Sequence, residues 1–304
     1  MIRREFRVMN TEALVLVRPG NAGAEADAGQ AIATIQDYET RFSRFQATSD
    51  LGRLNEDPCE DVAVSHELAL LIARVLGYAR LTDGVFDPVV LADLKAAGYD
   101  RSFECVLPDA MPLRLPTRVF RWLDVTVDLE TDRIRRPAGA MIDLGGVAKG
   151  AAADAAAATL ARQPGALVDL GGDVRTTGRP DDSRRWGIGL DDGLGDQRAI
   201  VRLEGGAVAT STVRKRRWLR GGQTQHHIID PRSGVPAASD AVQCSVIADT
   251  AEHAEVAAKV GLIMGVHSLY EGDLVAEALG VTGVAWITQD DEYVPTPGWR
   301  KQCA

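Results

Sequence analysis

Apolar residues recur with helical spacing in several stretches of the chain. Residues 24–45 predict a long amphipathic helix, and a second helix follows Ser65, a helix-capping residue, and ends at Asp83-Gly84. A third helix is predicted over Thr250–Met264, with Thr250 as its N-cap, and a short one over residues 270–279. Ser49 predicts the start of one more short helix. The apolar positions that carry the first helix are Ile32, Ile35, Tyr38, Phe42 and Phe45.

Other segments alternate or form short apolar runs between turn residues, which is typical of strands. Residues 5–18 predict one strand that ends at Pro19-Gly20, and residues 120–127 and 131–135 predict a strand pair. Residues 90–115 are rich in Gly, Pro and Asp and predict a loop. Because many strands follow one another directly, the order favours an α+β (mixed α/β) fold over a parallel Rossmann sheet. Further strands are predicted in ALVDL, WGIGLDD, RAIVRLEGGAVATSTV, HHIIDPRSGVPA, CSVIAD and GVAWIT.

The stretch Met141–Leu160, MIDLGGVAKGAAADAAAATL, predicts a strand, a tight glycine turn and an alanine-rich helix. A turn that opens into a helix N-terminus presents unpaired N–H groups, which suit an anion such as phosphate. Asp143 and Lys149 place opposite charges on this turn. The spacing matches neither the Rossmann glycines nor the P-loop. Taken alone, the stretch also fits an ordinary structural turn.

Composition narrows the function classes. A net charge of −9 argues against a general nucleic-acid or anionic-membrane binder, although Arg214–Arg217 form a local basic run. No segment approaches the roughly 20 apolar residues of a membrane helix, and the basic N-terminus lacks a signal-peptide pattern. The four cysteines lack CxxC spacing, which weighs against a zinc site. We therefore expect a cytoplasmic protein with reduced thiols.

Several motifs occur in a characteristic order. Taken together, they resemble the FAD:protein FMN transferase (ApbE-like) family over residues 5 to about 290. The motifs HHIIDPRSGVP and IDLGGVAKG in this order are the specific part of the resemblance. The motifs are MNT at Met9, RFSRF and SDLGRLN between Arg41 and Asn55, GVFDP, IDLGGVAKG with Asp154 after it, LVDLGGDVR, ATST, HHIIDPRSGVPA and SVIADTAEHAEVAAKVGLIMG.

The resemblance implies a single domain over residues 1–304 with T-fold-like mixed sheets and packed helices; two lobes would leave an FAD cleft between them. It implies FAD as substrate, Mg²⁺ at the pyrophosphate, and transfer of FMN to a Thr or Ser hydroxyl of an acceptor flavoprotein, with AMP leaving. Catalysis would consist mostly of positioning and charge neutralisation.

The resemblance also implies roles for individual residues. Met9, Phe86, Asp87, Asp143 and Lys149 match FAD contacts. His227 and Ile228 match the lining of the nucleotide pocket, and the Gly146 carbonyl matches a metal ligand. Structural alternatives stand beside these roles, since His227 fits an ordinary structural histidine and Asp87 a turn-forming acid.

One helix departs from the family pattern. The family has Asp and, four residues later, Thr as metal ligands; here Glu255 and Lys259 occupy these positions. An ammonium cannot ligate a cation. In one hypothesis Lys259, held by Glu255, replaces part of the metal's charge. In another, Lys259 turns to solvent and Mg²⁺ binds Glu255, Asp143 and the Gly146 carbonyl. A surface ion pair is the third interpretation. Glu255, Lys259 and His227 are the predicted catalytic residues.

Two other functions use the same pocket. A flavin-nucleotide carrier would have lost transfer through the Glu255 and Lys259 changes, and an FAD pyrophosphatase would release FMN and AMP to water. A nicotinamide oxidoreductase is disfavoured because the Rossmann glycine spacing is absent.

Overall fold

The structure is a computed structural model that describes residues 1–106, 119–270 and 272–303. The chain divides into two compact units. Unit 1 comprises residues 1–39, 147–214 and 239–304, and unit 2 comprises residues 40–146 and 215–238. In the described part of the chain, no helix combines the length and apolar character needed to cross a bilayer.

The strands, in chain order, are β1 (Ile2–Val8), β2 (Thr11–Arg18), β3 (Asp61–Ala63), β4 (Thr126–Asp128), β5 (Arg133–Arg135), β6 (Gly165–Leu170), β7 (Asp173–Gly178), β8 (Trp186–Asp191), β9 (Gln197–Leu203), β10 (Gly206–Thr212), β11 (Arg217–Arg220), β12 (Gln223–His226), β13 (Ile229–Asp230), β14 (Val235–Pro236), β15 (Ala241–Ala248), β16 (Gly283–Thr288) and β17 (Tyr293–Pro295). The α-helices are α1 (Ala24–Phe42), α2 (Asp50–Glu56), α3 (His66–Leu81), α4 (Leu91–Ala96), α5 (Ala148–Thr159), α6 (Ala251–Met264), α7 (Leu274–Ala278) and α8 (Pro297–Gln302).

Unit 1 is built on an eight-stranded sheet with the order β1-β2-β6-β7-β10-β15-β16-β17, in which every pair is antiparallel. Neighbouring residues of a strand point to opposite faces. In β6, Val168 accordingly belongs to the core shared with α1, α5 and α6, whereas Leu167 belongs to the core shared with the β8–β9 hairpin and Trp299 of α8. The alanine-rich α5 and α6 pack closely on the first face because their buried side chains are small.

Unit 2 contains α2, α3 and α4, a three-stranded sheet β3-β5-β4, and the two small ladders β11-β12 and β13-β14. Ser49 and Ser65 cap α2 and α3 as predicted, because each hydroxyl accepts a hydrogen bond from a backbone N–H of the first turn. Arg136 is buried and donates to the carbonyls of Leu54, Asp57 and Ala140. This guanidinium therefore ties the end of α2 to the chain before Asp143.

The α+β class is confirmed, and several element boundaries need correction. The predicted single strand over residues 5–18 is wrong, since β1 and β2 form a hairpin whose turn residues Met9 and Asn10 both have positive φ. Alternation of polar and apolar residues continues through this turn, so the pattern alone does not mark it. The long helix ends at Phe42 rather than residue 45.

The remaining differences lie near short elements. Residues 141–144 are not a strand. The loop predicted over residues 90–115 contains α4 and a 3₁₀ helix at Phe103–Cys105, and its residues 107–115 lie outside the described residues. In the segment 120–127 only residues 126–127 belong to a strand, after a 3₁₀ helix at Trp122–Asp124. The helix predicted over residues 270–279 is the shorter α7, and β17 and α8 had no prediction.

Candidate functional site

Lys149 lies in the first turn of the helix α5, whereas the sequence predicted it on the glycine turn before the helix. Its ammonium forms an ion pair with Asp173 and lies 3.3 Å from Oε1 of Glu255. The two carboxylate side chains are almost fully buried, whereas 19% of the Lys149 side chain is exposed. We call these three residues the Lys149 cage. The cage combines a fixed positive charge with partial access from outside.

A two-residue hairpin loop positions Asp173. Gly171 and Gly172 both have positive φ, and Leu170 pairs with Asp173 across the loop, as in the tight hairpins that need glycine. A Cβ on Gly171 would lie 2.1 Å from Oγ1 of Thr11, so the position also lacks space for a side chain. The second DLGG motif therefore serves to place a carboxylate at the start of β7.

The packing of α5 against α6 positions Glu255. Oε2 of Glu255 accepts a hydrogen bond of 2.8 Å from the N–H of Gly150, and its Oε1 faces Lys149. Asp154 on α5 accepts from the N–H groups of Ala251 and Glu252, each at 2.9 Å, and thus caps the start of α6. Each helix therefore binds a backbone donor of the other through a carboxylate.

Two half-buried carboxyls of unit 1 have raised pKa values. Burial raises the pKa of Asp169, although the N–H of Gly172 and the charge of Lys149 act in the opposite direction. Burial likewise raises the pKa of Asp154, against its hydrogen bonds to the start of α6 and the charge of Arg175. Both carboxyls therefore keep their protons to a higher pH than an exposed aspartate does.

In unit 2, three segments hold Asp143. Its N–H donates to the carbonyl of Pro88 at 2.7 Å, and the preceding residue, Ile142, forms two hydrogen bonds of 2.8 Å with the amide of Asn55. Nε of Arg44 lies 3.0 Å from Oδ1 of Asp143, and both side chains are nearly buried. The RFSRF, SDLGRLN and FDP motifs therefore meet at Asp143, although they are distant in sequence.

Aromatic rings surround Arg44. Its guanidinium carbon lies 4.2 Å from the ring centre of Phe45 and 4.5 Å from that of Tyr99, within the range of cation–π contacts. Tyr99 also packs against Trp218, at 5.5 Å between ring centres, and edge-on against His227 at 6.5 Å. Tyr99 and Trp218 are buried, so these rings form an apolar core beside the ion pair of Arg44 and Asp143. Sequence reasoning missed Tyr99 and Trp218, and Arg44 was visible only as part of a motif.

Phe86 and Asp87 serve the turn in which they lie. Phe86 is buried and packs edge-on against Tyr78. The carboxylate of Asp87 accepts from the N–H of Val89 at 2.7 Å and of Trp122 at 3.3 Å. The local role predicted for Asp87 as a turn-forming acid is thus present in the structure, and its FAD contact stays a prediction.

Backbone hydrogen bonds also fix Met9 and the segment of His227 and Ile228. The N–H of Met9 donates to Glu39 at 2.7 Å, which stabilises its left-handed conformation. Ile228 is buried, and its carbonyl accepts from the N–H of Ala237 at 2.9 Å. His227, beside it, contacts Tyr99. Their roles toward FAD stay predictions.

Acid should destabilise the protein through His226. Burial lowers the pKa of His226 to about 4 from 6.5, so the unfolded chain binds a proton below pH 6.5 that the folded chain does not take up. Stability is therefore full above the unfolded pKa and is lost as pH falls toward the folded pKa. Between about pH 7 and about pH 5 we expect the free energy of unfolding to fall by about 2 kcal/mol more in the wild type than in His226→Gln. Urea unfolding at both pH values measures this difference, and parallel pH profiles of the two proteins would contradict it.

The side chains near Glu255 do not fit a divalent cation. One oxygen of Glu255 accepts from Gly150 and the other faces the Lys149 ammonium. Lys259 stands one helical turn further along α6, where the family pattern has an oxygen ligand. Among the described residues, no group of three His, Cys, Asp or Glu side chains is arranged to hold a metal ion. A cation bound to Oε1 of Glu255 would lie beside the Lys149 ammonium.

Comparison with known proteins decides the family. The model of the ApbE family matches residues 9–278. The chain belongs to the ApbE family. It is 31% identical over 287 residues to an FAD:protein FMN transferase of Rhodobacter capsulatus, an alignment that covers 91% of this chain and 54% of that protein. A protein of the same name from Treponema pallidum is 30% identical over 85% of this chain and 77% of its own length.

A solved structure supports the fold of this ApbE family member. The ApbE protein of Thermotoga maritima superimposes with a TM-score of 0.88 at 27% identity, covering 100% of this chain and 99% of its own. The chain spans about half the length of the Rhodobacter relative. The ApbE-like resemblance inferred from the motif order is therefore confirmed, together with the α+β fold.

Proposed function

We propose that the protein transfers the FMN part of FAD to a Thr or Ser hydroxyl of an acceptor flavoprotein and releases AMP. The Lys149 cage is the observation that carries this proposal, because it places a partly accessible ammonium at the family's DLGGxAKG motif. Relatives that carry the name FAD:protein FMN transferase support the same reaction.

In the proposed reaction the acceptor oxygen forms a bond to the FMN-side phosphorus of FAD. The bond from that phosphorus to the bridging oxygen breaks, AMP leaves with the bridging oxygen and its electron pair, and the hydroxyl proton passes to solvent. The transition state accumulates negative charge on the phosphoryl oxygens, so a preorganised cation stabilises it. Lys149 is the residue to which we assign this role.

Unit 2 supplies residues suited to aromatic rings. A flavin or adenine ring would find a flat apolar partner in the exposed ring of Phe45, next to the ion pair of Arg44 and Asp143. We propose that Asp143 and His227 contact FAD, with Met9, Phe86 and Ile228 as further contacts.

The dependence of the reaction on Mg²⁺ remains to be measured. The resemblance implies Mg²⁺ held by Glu255 and the Gly146 carbonyl, where it would neutralise charge on the pyrophosphate. The engagement of both Glu255 oxygens does not favour this arrangement. We therefore derive no step of the reaction through a metal.

The proposed partner is a flavoprotein with a Thr or Ser acceptor motif. We propose that the two proteins meet in the cytoplasm. All four cysteines are free thiols, which is compatible with a reducing compartment.

Incubation with FAD and an acceptor protein tests the proposed reaction. Flavin fluorescence that stays on the acceptor after denaturing electrophoresis supports transfer, and an acceptor whose Thr is replaced by Val is the matched control. Free FMN and AMP without an acceptor would instead indicate an FAD pyrophosphatase. Tight FAD binding without either product would indicate a carrier.

A further inference from the structure

The Lys149 ammonium lies in the cage at a position from which it can neutralise charge on a bound phosphate. Lys149 lies between Asp173 and Glu255, and its contacts come from the start of α5, the start of β7 and the middle of α6. Both carboxylates are held by rigid elements, Glu255 also by the N–H of Gly150. The ammonium is consequently fixed in position, while part of the side chain remains accessible.

A divalent cation would compete with this ammonium for the same oxygens. Mg²⁺ binds carboxylate oxygen at about 2.0–2.1 Å and needs near-octahedral oxygen ligands. Oε1 of Glu255 already has Lys149 at 3.3 Å, so a cation on that oxygen would lie close to a like charge. The position one helical turn along α6 is Lys259, which provides no oxygen.

The formal charges of the lysines and carboxylates also disfavour a bound magnesium ion. Counting only the cage and position 259, with ionised carboxylates and protonated amines, Lys149 and Lys259 carry two positive charges against the two negative charges of Asp173 and Glu255. A threonine at position 259 would leave an excess of negative charge, which attracts a cation. The lysine removes that excess on the same helix face. Both the ligand set and the charge therefore differ from a magnesium site.

We propose that Lys149 and Lys259 together supply a built-in positive charge that replaces magnesium at the FAD pyrophosphate, Lys259 being the lysine that departs from the family pattern. This inference rests on the proposed function for the identity of the ligand. The carboxylates of Asp173 and Glu255 hold the Lys149 ammonium in a fixed orientation. The pyrophosphate then meets ammonium donors in place of a hydrated metal. FAD binding should accordingly need no divalent cation.

FAD affinity, measured by flavin fluorescence and by calorimetry with either EDTA or added MgCl₂, tests the inference. For the wild type we expect dissociation constants that agree within about twofold, since coupling between two ligands is typically fivefold or more where it exists. In the double variant Glu255→Asp/Lys259→Thr, which restores the family's ligand pattern, we expect Mg²⁺ to tighten FAD binding by at least about tenfold. Lys301→Thr, at an exposed position on α8, is the matched control and should behave as the wild type.

The outcomes separate this inference from the proposed reaction. Magnesium-independent FAD binding without FMN transfer would support the built-in cation and contradict the transferase. FAD binding by the wild type that is lost in EDTA would overturn the built-in cation even if transfer occurs. A wild type that binds no FAD in either condition would overturn both. If the double variant does not fold, the single variant Lys259→Thr takes its place. An FAD affinity of that variant that is unchanged by Mg²⁺ would then contradict the inference.

Discussion

Replacement of Lys149 by Met should lower the rate of FMN transfer by about 10³-fold at saturating FAD. Loss of one preorganised electrostatic partner of a transition state typically costs about 10²–10³ in rate. Lys149 is the ammonium of the cage, and methionine keeps the length of the side chain without its charge. Because Asp173 and Glu255 are buried, the variant also leaves two carboxylates without their cation. Single-turnover transfer to an acceptor protein measures the chemical step.

Two controls accompany the Lys149 variant. Thermal unfolding of each protein shows how much of the lost rate reflects a lost fold, and the variant is assayed well below its midpoint. Lys301→Met removes an exposed lysine of α8 and should transfer FMN at the wild-type rate. Transfer by a folded Lys149→Met protein within about threefold of the wild type would be below the cost expected for an electrostatic partner and would remove Lys149 from the reaction.

Replacement of Gly150 by Ala should destabilise the protein by about 3 kcal/mol, the upper end of the usual cost of core overpacking. A Cβ at this position would lie 2.5 Å from the carbonyl oxygen of Ala251 and 2.7 Å from Cα of Glu252. These are backbone atoms and cannot move aside as a side chain does. The helices α5 and α6 would therefore separate, and the hydrogen bond from Gly150 to Glu255 would lengthen. Urea unfolding followed by circular dichroism measures the effect.

Gly29 provides a matched control for Gly150. It lies within α1, and no atom is within 4 Å of a Cβ built there. Gly29→Ala should stabilise the protein by about 0.5–1 kcal/mol, the usual gain of alanine over glycine inside a helix. Equal stabilities for the two variants would mean that α5 and α6 do not pack as closely as the structure shows.

Local signals in the sequence account for much of the secondary structure. The caps at Ser49, Ser65 and Thr250 were predictable because a hydroxyl before an apolar periodic run has one common use. The turn at Met9-Asn10 was not, since it contains neither glycine nor proline and the alternation runs through it. Short helices such as α4 carry too few residues for periodicity to show.

The composition of the candidate site was only partly predictable. Asp143, Lys149 and Glu255 were named from motif order, but the pairing of Lys149 with Asp173 depends on a hairpin, and its pairing with Glu255 depends on the packing of α5 against α6. Such contacts arise from tertiary structure and leave no local pattern. One sequence hypothesis paired Glu255 with Lys259, whereas the structure shows Lys149 beside Glu255. The role of Lys259 stays a prediction.

The cluster around Arg44 illustrates the same limit. Tyr99 and Trp218 are far apart in the chain, and each is a common core residue when considered alone. Only the folded unit 2 places both rings near the ion pair of Arg44 and Asp143. An aromatic residue in a loop-rich segment was the one signal that could have directed attention to Tyr99.

A crystal structure of the protein with FAD, grown in EDTA, shows whether Lys149 binds the pyrophosphate in the absence of a divalent cation. We expect pyrophosphate oxygens within about 3 Å of Nζ of Lys149, the distance of a charge-assisted hydrogen bond, with Glu255 still bound to the N–H of Gly150. FAD bound with its pyrophosphate away from Lys149, or bound only after magnesium is supplied and ligated by Glu255, would contradict it.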